Sequence, residues 1–170
     1  MLRPEKNEYG EWYAGYVSLV SEEDIVAALS SQIGEFEQLA ESINEEKGAF
    51  AYADGKWSIK ELLGHLNDGE RIFAYRALRI ARGDQTPLSG FEQDDYIATG
   101  LFNSRTIADL IDEFVLLRRS NLKIFNNLED SAWMRTGTAS ENTISVRAIA
   151  YIMCGHVRHH VNILRARYLA

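Results

Sequence analysis

The feature that most constrains this chain is a set of four long segments in which apolar residues return every three to four positions. Prolines stand only at positions 4 and 87 of the 170 residues, so they do not interrupt these segments. We place the segments at 21–46, 57–83, about 104–127, and 145 onwards. Helices of this length are roughly 33–39 Å long at 1.5 Å per residue. The pattern predicts an all-α fold, a four-helix bundle.

Capping signals predict where two of the helices begin and end. Ser21 is a suitable N-cap for the first helix, because acidic residues that favour a helix N-terminus follow it. Ser58 with Glu61 three residues later predicts a capping box at the start of the second helix. Gly83 predicts its end.

The remaining segments predict how the bundle is connected. Residues 84–103 form a long loop between the second and third helices, so we expect a crossover that spans the bundle and lets these helices run parallel. A polar link follows at about 129–145, and no alternating strand is evident. An N-terminal aromatic arm, residues 1–20, packs across the bundle or lines a site or dimer contact. At this length we expect a single domain over 1–170.

Composition argues against several classes of protein. The formal net charge of −7 argues against a nucleic-acid partner, since proteins that track phosphates usually carry a basic face. Cys154 is the only cysteine, so no intrachain disulfide can form, which is typical of the reducing cytoplasm. No segment approaches the roughly 18 apolar residues that span a bilayer, and the first 20 residues do not resemble a signal peptide. We therefore expect a cytoplasmic protein with no membrane partner.

Three of the four histidines crowd into the segment CGHVRHH, residues 154–160. On a helical wheel at about 100° per residue, His156 and His160 fall within about 20° of the centre of the apolar stripe. His159 lies about 80° away, at the edge of the stripe, and Cys154 about 140° away. The first two imidazoles therefore face the core, where unpaired polar groups cost about 1–3 kcal/mol each.

Two interpretations of this pair remain open from the residues alone. A core histidine is usually a hydrogen-bonded packing residue, whereas histidines at i and i+4 are also a common metal grip on a helix. His65 flanks the apolar stripe of the second helix, and Gly69 one turn further leaves open space beside it. Two histidines from one helix and one from another make a three-nitrogen site with open coordination positions. A di-iron site fits less well, because Leu62 and Met153 stand where such bundles carry Glu.

The segment GKWSIKELLGHLNDGERIF, followed about ninety residues later by GHVRHH, resembles the DinB-like (DinB/YfiT-like) superfamily. The resemblance covers nearly the whole chain and includes the segment PLSGFEQDDY. It implies a four-helix bundle, often a homodimer, that holds a divalent metal ion through three histidines. The ligands then fall on His65, His156 and His160. The ion is zinc, nickel or iron across the family, and the ligand set does not choose among them.

The resemblance also implies an activity. The family includes S-transferases that use small thiols such as bacillithiol or mycothiol, and a maleylpyruvate isomerase. An ion held by three neutral imidazoles makes water or a thiol more acidic. We therefore expect a metal-dependent thiol S-transferase or hydrolase acting on a small-molecule substrate, with a low-molecular-weight thiol as one candidate. The alternative is a non-catalytic metal-binding, dimerising bundle with a structural or stress-related role.

Other polar residues offer weaker candidates. Asp68 lies one turn beyond His65 and is a candidate to orient an imidazole or accept a proton, although a solvated Asp explains it equally well. Four arginines give the second helix a basic flank, which holds an acidic substrate or pairs with surface carboxylates: Arg71, Arg76, Arg79 and Arg82.

Overall fold

The computed structural model describes residues 3–169 of the chain. Within this range the α-helices are α1 (Ala14–Ser18), α2 (Ile25–Glu41), α3 (Ile59–Ala81), α4 (Gln93–Thr99), α5 (Ile107–Phe125), α6 (Asp130–Trp133) and α7 (Val146–Ile163). One antiparallel hairpin joins β1 (Thr136–Ala139) to β2 (Asn142–Ser145). None of the helices in the described range is long and apolar enough to cross a membrane.

The four long helices contact one another in the cyclic order α2, α5, α3, α7. Helices α2 and α3 follow each other in the chain but occupy opposite corners of this arrangement. Each therefore packs between α5 and α7, and the predicted helical bundle is confirmed at this level.

The capping predictions are confirmed for one helix and corrected for another. Ser58 Oγ accepts a hydrogen bond from the Glu61 backbone N–H at 3.1 Å, and the Glu61 carboxylate accepts one from the Ser58 N–H at 2.7 Å. Helix α3 ends at Ala81, and Gly83 follows with φ at 82°. The prediction of Ser21 as the cap of α2 is wrong. Asp24 caps this helix by accepting from the Val26 and Ala27 N–H groups, because the buried Ile25 fixes the first helical position.

Both predicted connections contain more regular structure than expected. The segment 84–103 includes helix α4 and a short 3-10 turn, so it is not a structureless loop. The link at 129–145 contains α6 and the β-hairpin, which corrects the expectation of no strand. Four-residue strands are too short for alternation to stand out, and Gly137 interrupts the pattern.

The hairpin turn is held against the start of the α3–α5 connection. Ser140 and Glu141 both have positive φ, at 49° and 65°, as mirror-image hairpin turns require. The Leu88 N–H donates to the Thr138 carbonyl, and the Ser140 N–H donates to the Leu88 carbonyl, both at 2.9 Å. This contact holds Ser140 beside residues 86–91, a position that matters below.

A buried polar network joins all four long helices. The Arg118 guanidinium on α5 donates to both carboxylate oxygens of Glu70 on α3, at 2.6 and 2.9 Å. It also donates to Gln32 Oε1 on α2, whose amide nitrogen donates to the Cys154 carbonyl on α7. Arg118 and Glu70 are 0% and 2% exposed, so the pair is fully desolvated.

The apolar core divides into two clusters along α7. Residues of α7 up to Cys154 pack in the first cluster, with the hairpin, α1 and the C-terminal half of α3. Val157 and Leu164 pack in the second, with α5 and the N-terminal half of α3. The segment of α7 that carries the histidines therefore crosses the boundary between the two clusters.

Candidate metal centre

Three buried imidazoles meet where α3 faces α7. His65 comes from α3, and His156 and His160 come from adjacent turns of α7. One ring nitrogen from each lies within 4.8 Å of the other two. The three side chains are 5%, 5% and 8% exposed, so water competes little for their nitrogens. His156 and His160 lie on the apolar side of α7, as their helical spacing predicted, and there they meet His65 of α3.

The ring nitrogens of this cluster are poorly satisfied by the protein. His65 Nε2 and His156 Nε2 face each other at 2.9 Å, a distance at which one must carry a proton and the other accept it. Both nitrogens of His160 are buried and have no hydrogen-bond partner. Because a buried unpaired nitrogen costs about 1–3 kcal/mol, these atoms favour a bound cation.

Burial keeps the three imidazoles neutral. It lowers the pKa of His65 to about 4 and the pKa of His160 to about 3, with further lowering from the neighbouring histidines. Burial also brings the pKa of His156 well below its ordinary value. Neutral imidazoles offer the lone pairs that a metal ion needs. In tetrahedral sites with bonds of 2.0–2.1 Å the nitrogens lie roughly 3.3 Å apart, so small side-chain adjustments bring this cluster to that geometry.

Aromatic rings and a glycine shape the walls of the centre. The Trp57 ring centroid lies 4.8 Å from that of His65, and Tyr16 and Phe73 lie 5.3 and 5.7 Å from that of His156. Gly69 leaves space beside His65, as predicted: both residues line one cavity, and a Cβ at position 69 would lie 2.9 Å from Cε1 of His156. The missing side chain therefore makes room for a histidine of the opposite helix.

Two cavities open onto the histidines from different sides. The larger one, about 630 Å³, reaches His65 and His156, and its walls include the aromatic arm, Phe91 and Ser140. The smaller one, about 370 Å³, reaches His159 and His160, beside Trp57 and Asp94. Tyr16 lines both cavities. The centre is therefore accessible to small molecules although its nitrogens are buried.

Asp68 is not part of this cluster. Its electrostatic neighbours are Arg71, Arg105 and Glu113, on the side of α3 that faces α5, and burial raises its pKa. No hydrogen bond joins its carboxylate to a histidine in the described part of the chain. The position gives no support to a role in orienting an imidazole.

The arginines of the predicted basic flank differ in their surroundings. Arg71 pairs with Glu113, and Arg79 pairs with Asp84. These two follow the expected pairing with surface carboxylates. Arg76 is buried and donates to the Ser89 carbonyl and to Ser140 Oγ.

Three further residues form walls of the site, and only Tyr16 was part of a segment, the aromatic arm, for which lining a site had been one expectation. Tyr16 lies in the aromatic arm and meets both His156 and His159 edge-on. Asp94 lies at the start of α4, and its carboxylate accepts a hydrogen bond of 3.2 Å from Trp57 Nε1. Trp57 belongs to the KWS segment at the entry to α3, and Asp94 belongs to the segment PLSGFEQDDY; both segments carried the family resemblance.

Comparison with solved structures shows the fold. The chain is similar to YfiT from Bacillus subtilis, described as a probable metal-dependent hydrolase with an unusual four-helix bundle topology. The TM-score is 0.73 and the sequence identity 14%, over 96% of this chain and 92% of that one. Comparison with curated proteins gives no match.

Comparison with protein families agrees with the motifs at the entry to α3 and in α7. The model of the DinB superfamily matches residues 28–164, which include all three histidines of the cluster. The predicted resemblance is confirmed, and this chain belongs to the DinB superfamily.

Proposed function

We propose that this protein is a metal-dependent hydrolase in which His65, His156 and His160 hold a divalent cation. The observation that carries the proposal is the convergence of three neutral, buried imidazoles, of which His160 has no protein partner for either nitrogen. YfiT, which shares the fold, is described as a probable metal-dependent hydrolase, and this supports hydrolysis as the reaction type.

The proposal gives distinct tasks to the residues of the site. A divalent cation with three imidazole ligands and open coordination positions would lower the pKa of a water or thiol that reaches it. The three histidines, fixed on two packed helices, set the position of the cation. Trp57, Tyr16 and Phe73 restrict bulk water around the imidazoles.

Two carboxylates line the cavities that lead to the histidines. Glu92 is the N-cap residue of α4 and borders the larger cavity, while Asp94 borders the smaller one. Each lies on the segment that connects α3 to α5. We propose that these carboxylates, in place of Asp68, accept the proton from the attacking water or thiol.

Thiol transfer is the second candidate, and the position of Cys154 defines how it would operate. Burial raises the pKa of the Cys154 thiol to about 11, and the side chain is fully buried in the first core cluster. This cysteine cannot serve as the reactive thiolate near neutral pH. A transferase at this site would therefore use a free small-molecule thiol, for which the cavity of about 630 Å³ has room.

Elemental analysis of the purified protein tests the ligand assignment. We expect about one divalent ion per chain in the wild type and a much lower metal content in His160→Ala, because removing one of three imidazole ligands should weaken metal binding at least tenfold. His159→Ala is the matched control, since this neighbouring imidazole lies outside the cluster of three, and it should retain the metal. Unchanged metal content in His160→Ala, with native circular dichroism, would contradict the proposal.

Turnover measurements separate the candidate functions. A panel of small esters and amides, and a panel of thiols paired with electrophiles, would be assayed before chelation, after chelation and after metal is restored. Metal-dependent hydrolysis supports the proposal, and metal-dependent thiol transfer alone supports the second candidate. Unfolding on chelation, without turnover in either panel, supports a structural metal in a non-catalytic bundle.

A further inference from the structure

Arg76 carries a buried positive charge for which the described chain offers no carboxylate. The residue is 2% exposed, and its guanidinium donates to the Ser89 carbonyl at 2.9 Å and to Ser140 Oγ at 3.1 Å. Its second terminal nitrogen is buried and has no partner. No acidic side chain of residues 3–169 forms an ion pair with it. A buried cation with neutral partners alone is costly unless an anion joins it.

The other arginines of the same cavity do not share this property. A cavity of about 510 Å³ lies between α3 and residues 86–91, and Arg71, Arg76 and Arg79 all line it. Arg71 pairs with Glu113, and Arg79 pairs with Asp84 and also contacts the Tyr75 hydroxyl. Among the three, the uncompensated charge belongs to Arg76.

This cavity adjoins the larger cavity of the metal centre. Gly90 and Phe91 line both of them. Ser140, which accepts from Arg76, also lines the cavity that reaches His65 and His156. Gly69, which contacts the His156 ring, and Arg76 are two turns apart on one face of α3, roughly 10 Å along the helix axis.

We propose that Arg76 binds a carboxylate or phosphate group of the substrate whose reactive end lies at the three histidines. The inference rests on the proposed function, because it extends the substrate from the metal centre into the adjoining cavity. A guanidinium suits this task because its planar set of donors matches the oxygens of a carboxylate or phosphate. The distance of roughly 10 Å along α3 between Gly69 and Arg76 corresponds to roughly three residues of an extended peptide. We therefore expect the substrate to be a small anionic molecule. Since one guanidinium nitrogen is buried, we expect residues 86–91 to shift when the anion binds.

Calorimetric titration of the full chain with inorganic phosphate and with succinate tests the site. Metal would first be removed with a chelator and then dialysed away, and ionic strength would be held constant with sodium chloride. We expect at least one of the two anions to bind the wild type, and at least tenfold weaker binding to Arg76→Met. The matched control is Arg79→Met, which removes a paired cation of the same cavity and should change the affinity less than threefold. A preference for phosphate or for succinate identifies the anionic group.

Several results would overturn the proposal. These are equal affinity in Arg76→Met and the wild type, no detectable binding of either anion, or binding that requires added zinc and disappears in His160→Ala. If Arg76→Met does not fold, nuclear magnetic resonance of the wild-type protein tests the proposal instead. The Nε–H signal of Arg76 must then shift when the anion that binds is added. Arg76→Lys assigns that resonance. Anion binding at Arg76 without any metal-dependent turnover would retain the anion site and refute the proposed function, so the two failures are distinguishable.

Discussion

At the scale of single residues, the chain brings together imidazoles that are hard to protonate. His65, His156 and His160 lie within reach of one another, and a second positive charge in such a cluster is strongly disfavoured. Protonating these imidazoles therefore costs more free energy in the folded, metal-free chain than in the unfolded chain. This difference links the stability of the fold to pH.

We predict that the free energy of unfolding of the metal-free protein falls as the pH is lowered from 7.5 to 5.5. In the unfolded chain each imidazole titrates near 6.5, whereas in the fold the pKa is about 4 for His65, about 3 for His160 and well below 6.5 for His156. The unfolded state thus binds more protons in this range, and each imidazole contributes a loss of about 1.4 kcal/mol. The loss is complete only below the folded pKa values, and the stability is fully present above pH 6.5.

Urea unfolding in the presence of a chelator measures this dependence. His160→Asn is the matched variant, because it removes one of the three imidazoles of the cluster and should reduce their joint contribution to the slope by about a third. A free energy of unfolding that stays constant between these pH values would show that the imidazoles are not held neutral.

The sequence predicted these residues unequally, for physical reasons. The wheel located His156 and His160 because a regular helix fixes where each side chain points. Tyr16 and Asp94 belong to an arm and a connection that have no long periodic pattern, so their arrival at the site depends on tertiary packing. Asp68 is offset from His65 by only about 60° on the helical wheel, so the wheel could not exclude it, and its charged neighbours Arg71, Arg105 and Glu113 became known only from tertiary packing.

At the scale of elements, the N-terminal arm reaches the histidines through a close contact between α1 and α7. A Cβ added to Gly155 of α7 would lie 2.0 Å from the Tyr16 carbonyl oxygen. The backbones of the two helices approach closely because position 155 has no side chain. This approach holds the Tyr16 ring edge-on to His156.

We predict that Gly155→Ala destabilises the protein by about 1–3 kcal/mol, because the new methyl group forces α1 away from α7. Gly34→Ala is the control, since Gly34 lies inside α2 with no heavy atom within 4 Å of the added Cβ. That change should stabilise the protein by about 0.4–1 kcal/mol through helix propensity. Thermal or urea unfolding of both variants gives the comparison, and equal effects of the two alanines would refute the close contact.

Element boundaries show where local signals were sufficient. The capping box at Ser58 was predictable because two reciprocal hydrogen bonds need only residues three apart. Ser21 and Asp24 are both good caps, and the choice between them depends on the burial of Ile25, which the local pattern does not contain. The hairpin at 136–145 depends on its contact with Leu88, a partner far away in sequence.

At the scale of the whole molecule, the pair of Arg118 and Glu70 joins the bundle across its interior. Fully buried ion pairs become costly when one partner is lost, because the remaining charge is left without water or a counter-charge. We predict that Glu70→Gln lowers the free energy of unfolding by about 3–5 kcal/mol. The control is Glu37→Gln, which breaks the exposed contact of 3.7 Å with Arg119 and should change stability by less than about 1 kcal/mol. Similar losses in the two variants, measured by urea unfolding, would contradict the role of the buried network.

The histidine cluster also joins distant parts of the chain, because His65 and His156 are 91 positions apart in sequence. His156 and His160 are four residues apart and remain close even in the unfolded chain. His65 can join them only after the long segment between α3 and α7 has closed, which costs conformational entropy. During synthesis, α3 leaves the ribosome long before α7 exists. On the proposed assignment, all three nitrogens become available to one cation only after α3 has docked against α7, so an incompletely folded chain offers the ion at most the two histidines of α7.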